Sequence, residues 1–393
     1  MDDFTKNLND LGTVSRSAAI LSLLGAAFIL QDILKDGTRR KNIKNRIILG
    51  MSLCDFVFCL FGPILGLWMV PSDSFPGAHG SQLTCNIQGF VASAAVGGSS
   101  TYNAALAILY LLMVRYEYSD QRLRKVEPFL HAIPCLCSVS FIICFPLQGF
   151  NFGGYMCVSI PAPLGCVPGV NCVRGESTLI WNTAIFVFVL MKTVIIMSCM
   201  YLLYQAVLAR ERAGDRFRFM ARERGSRRGL SNVMKAQGIW YSAAYCLFAL
   251  PYCTLELIER SKPGSTSFWF LGVQTFTLNI VGFFNAIIYV RPRFLKFRGE
   301  HPDQNAVKCV IYTMLRTAPP SATESQQHGT SARINSRPLN KDTTRDEVDK
   351  GEMLVDDSGV EDGTAMVATV ETNPAYDSID ANNPACKVSF LSV

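Results

Sequence analysis

The chain has 393 residues, 49% of them apolar and only 17% charged, with 37 Lys and Arg against 31 Asp and Glu. So apolar a composition excludes a chain that is disordered throughout, and a net charge of +6 over this length is not a nucleic-acid footprint. Only four His occur, and no P-loop, nucleophile elbow, paired-carboxylate site or zinc-ligand spacing is present, which argues against an enzyme.

In chain order, the N-terminus Met1–Asp10 has three Asp and one Lys. It does not read as a basic signal-peptide leader, so the first span is expected to insert uncleaved. Seven long apolar runs follow: Ser17–Leu34, Ile47–Val70, Cys85–Val114, Pro128–Gln148, Thr178–Leu208, Ala236–Leu255 and Ser267–Val290. A stretch of about 20 apolar residues spans a bilayer as a helix. The first is the weakest, with Asp32 near its end. The second carries only Asp55, the fourth only His131 and the fifth only Lys192.

The connecting segments set the orientation. Lys35–Arg46, Arg115–Glu127, Ala209–Lys235 and Arg291–Arg298 together hold 23 Lys and Arg. The opposite side holds five, namely Lys6, Arg16, Arg174, Arg260 and Lys262. The positive-inside rule makes the first side cytoplasmic and the N-terminus extracellular. The expected architecture is all-α: an extracellular N-terminus over 1–14, a seven-helix transmembrane bundle with a short amphipathic eighth helix over 15–298, and a cytoplasmic tail over 299–393. After Gly299 the tail has 15 acids against eight Lys and Arg. Its Ser, Thr, Asp, Asn and Pro content predicts disorder over Pro319–Val393.

Most of the fourteen Cys lie in the spans, where they act as small apolar residues. Cys85, Cys157, Cys166 and Cys172 lie at the outer face, where disulfides are allowed, and four Cys permit three connectivities.

Asp55 sits about 12 Å into its span at 1.5 Å per residue, and an intramembrane charge is functional by default. The plainer alternative is a structural, protonated carboxyl. Lys192 lies too deep in the fifth span to reach the interface fully, so it is expected to face inward, toward a ligand or toward Asp55. The small residues of Ala92–Ser100 read as close helix packing at the bundle centre.

Several motifs then combine with this topology. Leu53 stands two places before the lone Asp55. Arg115-Tyr116 closes the third span, with Val114 where an acid would precede the Arg. Pro251-Tyr252 lies in the sixth. Asn285-Ala286-Ile287-Ile288-Tyr289 lies in the seventh, within Gly282-Phe-Phe-Asn-Ala-Ile-Ile-Tyr, and is followed by Arg293-Phe294, similar to the Phe of a short eighth helix. Together with Cys85 heading the third span, these resemble the G-protein-coupled receptors, in a divergent form that is rhodopsin-like or similar to the slime-mould cyclic-AMP receptors. The resemblance covers about residues 15–298.

The resemblance implies a receptor that binds an extracellular ligand and activates a heterotrimeric G protein. It implies a disulfide from Cys85 to one of Cys157, Cys166 or Cys172, and an activation switch built from Asp55, Arg115, Tyr116, Pro251, Asn285 and Tyr289. Asp55 becomes a candidate sodium site, with Asn285 expected opposite it. With no Lys in Ser267–Val290, a retinal cofactor is not expected. The ligand pocket is expected between the outer halves of helices three, five, six and seven, with Trp181, Lys192, Tyr252, Glu256, Trp269 and Gln274 as its candidate residues. Asn373, Pro374 and Tyr376 form a turn similar to endocytic adaptor signals, so an arrestin-like or endocytic adaptor joins the lipid bilayer and the G protein among expected partners. Cys309 is a candidate palmitoylation site. The plasma membrane is the expected location. The rival is a seven-span secondary transporter or channel, which predicts repeats and several midplane ionisable groups.

Overall fold

The structure, a computed structural model, describes residues 2–147, 149–163, 166, 170–216, 225–261, 267–301 and 304–315. Its principal helices are α1 Asp2–Lys35, α2 Ile43–Cys59, α3 Gln82–Val114, α4 Asp120–Val139, α5 Thr178–Arg216, α6 Gly225–Ser261, α7 Phe268–Glu300 and the short α8 Ala306–Leu315. Seven of them, α1 to α7, are long and apolar enough to cross a membrane. The fold is all-α, a seven-span helix bundle followed by a short C-terminal helix.

Local chemistry sets many of the ends. Asn42 accepts from the Lys44 N–H to cap α2. Ser81 and Thr84 bond each other's backbone N–H in a reciprocal capping box at α3. Ser267 accepts from the Phe270 N–H at α7. Such caps each contribute about 1 kcal/mol. Helix α2 loosens into a π-turn, Leu60–Ile64, around Pro63, which removes a backbone donor.

Two boundaries differ from the sequence reading. Helix α1 begins at Asp2 rather than near Ser17. Its early turns are held by burial of Leu8 against Val70, Phe75, Cys85 and Cys157, so packing extends the helix beyond its apolar run. Helix α7 does not stop near Val290. It continues through Arg293 and Phe294 to Glu300, and the short helix is Ala306–Leu315, beyond the expected limit at 298. The break falls at His301, which leaves the helical region because residue 302 is Pro and disfavours the α conformation before it. Cys309 is fully buried, contrary to the exposure palmitoylation requires.

Helix α3 is the axis of the bundle. Within the most apolar window of each span, 72% of α3 is buried against 11% of α4. Its small residues permit this, as the sequence predicts. A Cβ on Gly89 would lie 2.5 Å from the Phe150 ring, and one on Gly98 2.5 Å from Ser138 Oγ. The same device joins α1 to α7, where a Cβ on Gly25 would meet the Gly282 carbonyl at 3.0 Å. In a bilayer, where apolar burial between helices gains little, such close approach drives association. Phe129, Ile133, Leu136 and Val139 of α4 are left exposed, as lipid-facing residues would be.

At the end of the bundle where α1 begins, strands β1 Phe150–Phe152 and β2 Cys157–Ser159 pair antiparallel, with Phe152 opposite Cys157. Gly154 takes a φ of +106° in their turn. Disulfides join Cys85 to Cys157 and Cys166 to Cys172. The first fastens the hairpin to α3. The buried Gln88 reinforces it, accepting from the Cys157 N–H and donating to the Phe61 and Gly66 carbonyls.

Candidate functional site

Three polar groupings sit inside this apolar bundle. The first surrounds Asp55, near the middle of the second span Ile43–Ile64. Ser99 Oγ donates to Asp55 Oδ1 at 2.5 Å, and Asn285 Nδ2 donates to Asp55 Oδ2 at 2.8 Å. The carboxyl therefore links α2, α3 and α7. A cavity of about 30 Å³ adjoins it, lined by Asp55, Ser99, Ser100 and Asn103 among others. The side-chain amide oxygens of Asn103 and Asn285 are buried without a hydrogen-bond partner among the described residues. That volume holds a water or a small ion.

No cluster of three or more His, Cys, Asp or Glu able to hold a metal occurs among the described residues. One carboxylate with neutral hydroxyl and amide oxygens, of which that of Asn103 lines the cavity unsatisfied, would nevertheless suit a hard monovalent cation. The residues present are thus compatible with the sodium site that the sequence suggests.

The second grouping surrounds Lys192 of α5, which is 4% exposed. It does not pair with Asp55. Its Nζ donates to Ser100 Oγ at 2.5 Å and lies 4.7 Å from the centroid of the Phe188 ring. Lys192 lines a cavity of about 430 Å³ together with Gly97, Ser100, Leu136, Phe141, Trp181 and others from α3, α4, α5 and α6. Phe141 lies in the 3-10 turn Ser140–Cys144 that follows α4, edge-on to Trp181 with centroids 5.8 Å apart.

Of the residues expected in the ligand pocket, the structure brings Trp181 and Lys192 together here. The others are elsewhere. Tyr252 is stacked beside Phe248. Glu256 pairs with Arg260 one turn on, at 3.3 Å. Trp269 is exposed, and Gln274 is half-buried on α7. None of these four lines the cavity. The α4 wall was not foreseen, because that span offers only apolar residues and one His as a signal.

The third grouping lies toward the opposite end of the bundle and centres on Asp32. The Tyr289 hydroxyl donates to Asp32 Oδ2 at 2.7 Å, Arg293 Nη2 donates to it at 2.6 Å, and Arg39 donates to the same oxygen. This buried carboxylate ties the end of α1 to α7 and to the turn Gly37–Arg40. Sequence reasoning named Tyr289 but treated Asp32 only as a blemish in the first span. Close by, Arg46 pairs with Glu127, and Lys44 and Tyr110 both donate to Gln237.

Arg115 caps α3 without joining any of these groupings. Its Nη1 makes a long 3.4 Å contact to the Leu202 carbonyl on α5. It makes no ion pair among the described residues. Tyr116 beside it is exposed and packs edge-on to Tyr118. Pro251 lies inside α6, half-buried. Asn373, Pro374 and Tyr376 lie outside the described residues, as do the side chains of the Arg-rich segment between α5 and α6.

No family model and no curated protein sequence matches the chain. Its fold is similar to that of squid rhodopsin, with a TM-score of 0.56 at 16% identity, covering 81% of this chain and 93% of the squid chain. The bundle therefore has a rhodopsin-like seven-helix fold.

Proposed function

We propose that this chain is a receptor of the plasma membrane that binds an extracellular ligand and activates a heterotrimeric G protein. Its N-terminus and hairpin lie outside, and its Arg-rich loops lie inside. The observation that carries this reading is the double latch on α7. Asn285 is held by Asp55 and, one helical turn further on, Tyr289 is held by Asp32. A hydrogen bond to a charged group contributes about 1.5–3 kcal/mol, so the latches favour one position of α7 without fixing it. A ligand shifts such a balance only by binding the two positions unequally.

Arg115, with its weak hold on Leu202, is free to fork onto carbonyls or acids of a cytoplasmic partner. Asp55, Ser99 and Asn103 would hold a sodium ion, which when bound would supply a positive charge to a buried carboxylate and strengthen the resting arrangement. An arrestin-like or endocytic adaptor would read the tail at Tyr376.

The test is nucleotide exchange on purified Gα proteins by the full chain in nanodiscs. Exchange above that of empty discs, lost in a correctly folded Arg115→Ala variant, is the expected result. Solute flux in liposomes with no exchange on any Gα class would instead identify a transporter.

A further inference from the structure

The cavity beside Lys192 is built for a molecule that neither the fold nor the motifs name. Its walls are apolar almost throughout: Leu136 and Phe141 from the α4 side, Ile185, Phe188 and Val189 from α5, and Phe248 from α6. One ammonium group enters it. Trp181 and Lys192 are eleven positions apart on α5, about 16 Å along the axis. Both line the cavity, as do Ala184, Ile185, Phe188 and Val189 between them. The space is therefore elongated along one face of α5, with the cation toward its inner end. At about 430 Å³ it is in the range of small-molecule sites, which are mostly apolar with a few placed polar groups.

The ammonium is under-used. A lysine offers three donors, and Lys192 gives one to Ser100 Oγ and stands over the Phe188 ring. It makes no ion pair with an Asp or Glu among the described residues. A buried charge without an opposite charge is costly, and an ionisable residue inside a span marks a functional site by default. An acidic group delivered on an apolar body would supply that opposite charge.

We propose that the cavity between α3, α4 and α5 binds a single-chain carboxylate amphiphile, its acid group on Lys192 and Ser100 and its hydrocarbon along Phe188, Ile185 and Trp181 toward the outer side. Two other classes fit less well. A cationic amine would meet the ammonium with like charge, and a sugar or nucleotide would leave its hydroxyls unsatisfied against Leu136, Phe141 and Ile185. The carboxylate comes either from the aqueous phase or from the bilayer itself, because Leu136 lines the cavity and is itself 69% exposed, on a helix that leaves Phe129, Ile133 and Val139 exposed as well. The site deepens the receptor reading by naming a ligand class and rests on that reading only for its signalling consequence.

The experiment is equilibrium binding of tritiated laurate to the full chain in nanodiscs, with dodecanol as the uncharged probe of equal chain length. Laurate is offered in one arm on albumin and in the other pre-mixed into the bilayer. Saturable binding at one site per chain is expected, with laurate preferred over dodecanol at least tenfold. Lys192→Met should erase that preference by weakening laurate about tenfold or more while leaving dodecanol unchanged. Lys192→Arg should retain much of it. Ala184→Phe, which fills the cavity and leaves the cation in place, should lower the binding of both. Binding confined to the bilayer arm supports the site and names the membrane as source. Equal laurate binding by wild type and Lys192→Met, or no saturable binding in either arm, overturns the proposal. Exchange on Gα is recorded on the same discs. Laurate binding without any exchange sinks the receptor reading alone, and exchange without laurate binding sinks this site alone.

Discussion

Asp55 and Lys192 are held by adjacent residues of one helix: Ser99 Oγ donates to Asp55, and Lys192 Nζ donates to Ser100 Oγ. Successive residues on an α-helix point about 100° apart. The two intramembrane charges therefore approach α3 from different sides and do not meet. Each borders a different cavity, a small one that reaches α7 at Leu278 and Val281 and a large one on the α4 side, with Val96, Ser100 and Phe248 in the walls of both. A rotation of α3 would act on both at once, which gives a physical route between an acid bound at Lys192 and the latch at Asn285.

Asp55 accepts two buried hydrogen bonds. In Asp55→Ala both donors lose their acceptor, a loss of about 1–3 kcal/mol for each buried group left unsatisfied. The thermal midpoint in nanodiscs should fall accordingly. Wild type should also unfold at a higher temperature in sodium chloride than in choline chloride, since an ion that binds only the folded state stabilises it by mass action. Asp55→Asn should abolish that difference. A sodium-dependent shift that persists in Asp55→Asn rules out this carboxylate as the ion's ligand.

The two disulfides close loops of very different size, with sequence separations of 72 for Cys85–Cys157 and 6 for Cys166–Cys172. On loop entropy alone the larger is worth about 4 kcal/mol and the smaller about 2 kcal/mol. The larger also fastens the hairpin that buries Phe150 against α3. Cys85→Ser should therefore cost substantially more stability than Cys166→Ser, read as the loss of folded protein after heating and size-exclusion chromatography. Equal losses would show that the hairpin is anchored chiefly by Gln88.

Asp36 lies outside the spans, where it caps the turn Gly37–Arg40. The Thr38 hydroxyl holds its carboxyl below the ordinary carboxylate range, assisted by the Thr38 and Arg39 N–H groups and the Arg39 charge. A depressed pKa means that the folded state binds the proton less readily than the unfolded chain. The contribution is complete above the ordinary Asp pKa and is lost as pH falls through the depressed value. The turn should stay protected in hydrogen exchange at neutral pH and open in strong acid, with Asp36→Ala open at both. A turn equally protected in wild type and Asp36→Ala at neutral pH would remove the cap from the account.

Much of this was legible in the chain because a bilayer makes polarity conspicuous. Asp55 and Lys192 stand out as lone charges in apolar runs, and Asn285 stands one turn from Tyr289 in another. The small residues of α3 announce close packing, and charge asymmetry sorts the loops. What escaped had the opposite character. Asp32 falls where a weak span meets a basic loop, so its charge reads as a boundary. Its partners Arg39 and Arg293 were counted as positive-inside residues, when each holds a buried carboxylate. The α4 wall of the large cavity escaped because Leu136 and Phe141 are as apolar as lipid-facing residues, and periodicity does not say which apolar face borders a cavity. The end of α7 was misplaced because Arg293 and Phe294 continue the helix as readily as they would begin another.

The Asp32 grouping yields the most direct test of the latch. One carboxylate oxygen accepts from Tyr289, Arg293 and Arg39, so removing its charge weakens three ties to α7 and the adjoining turn together. Asp32→Asn keeps the size and one acceptor but forfeits the ionic component. If the latch restrains α7, basal nucleotide exchange on Gα should rise about tenfold, the population shift expected from losing roughly 1.4 kcal/mol of restraint. Tyr289→Phe removes one tie and should raise it less. Both variants should lower thermal stability, Asp32→Asn the more. The ion pair with Arg293 predicts that Arg293→Gln goes part of the way to Asp32→Asn, and that the double variant is little worse than Asp32→Asn alone, since the Arg293 tie is one of the three that Asp32→Asn weakens. A destabilised Asp32→Asn whose basal exchange stays at the wild-type level would make the grouping a structural tie with no part in switching.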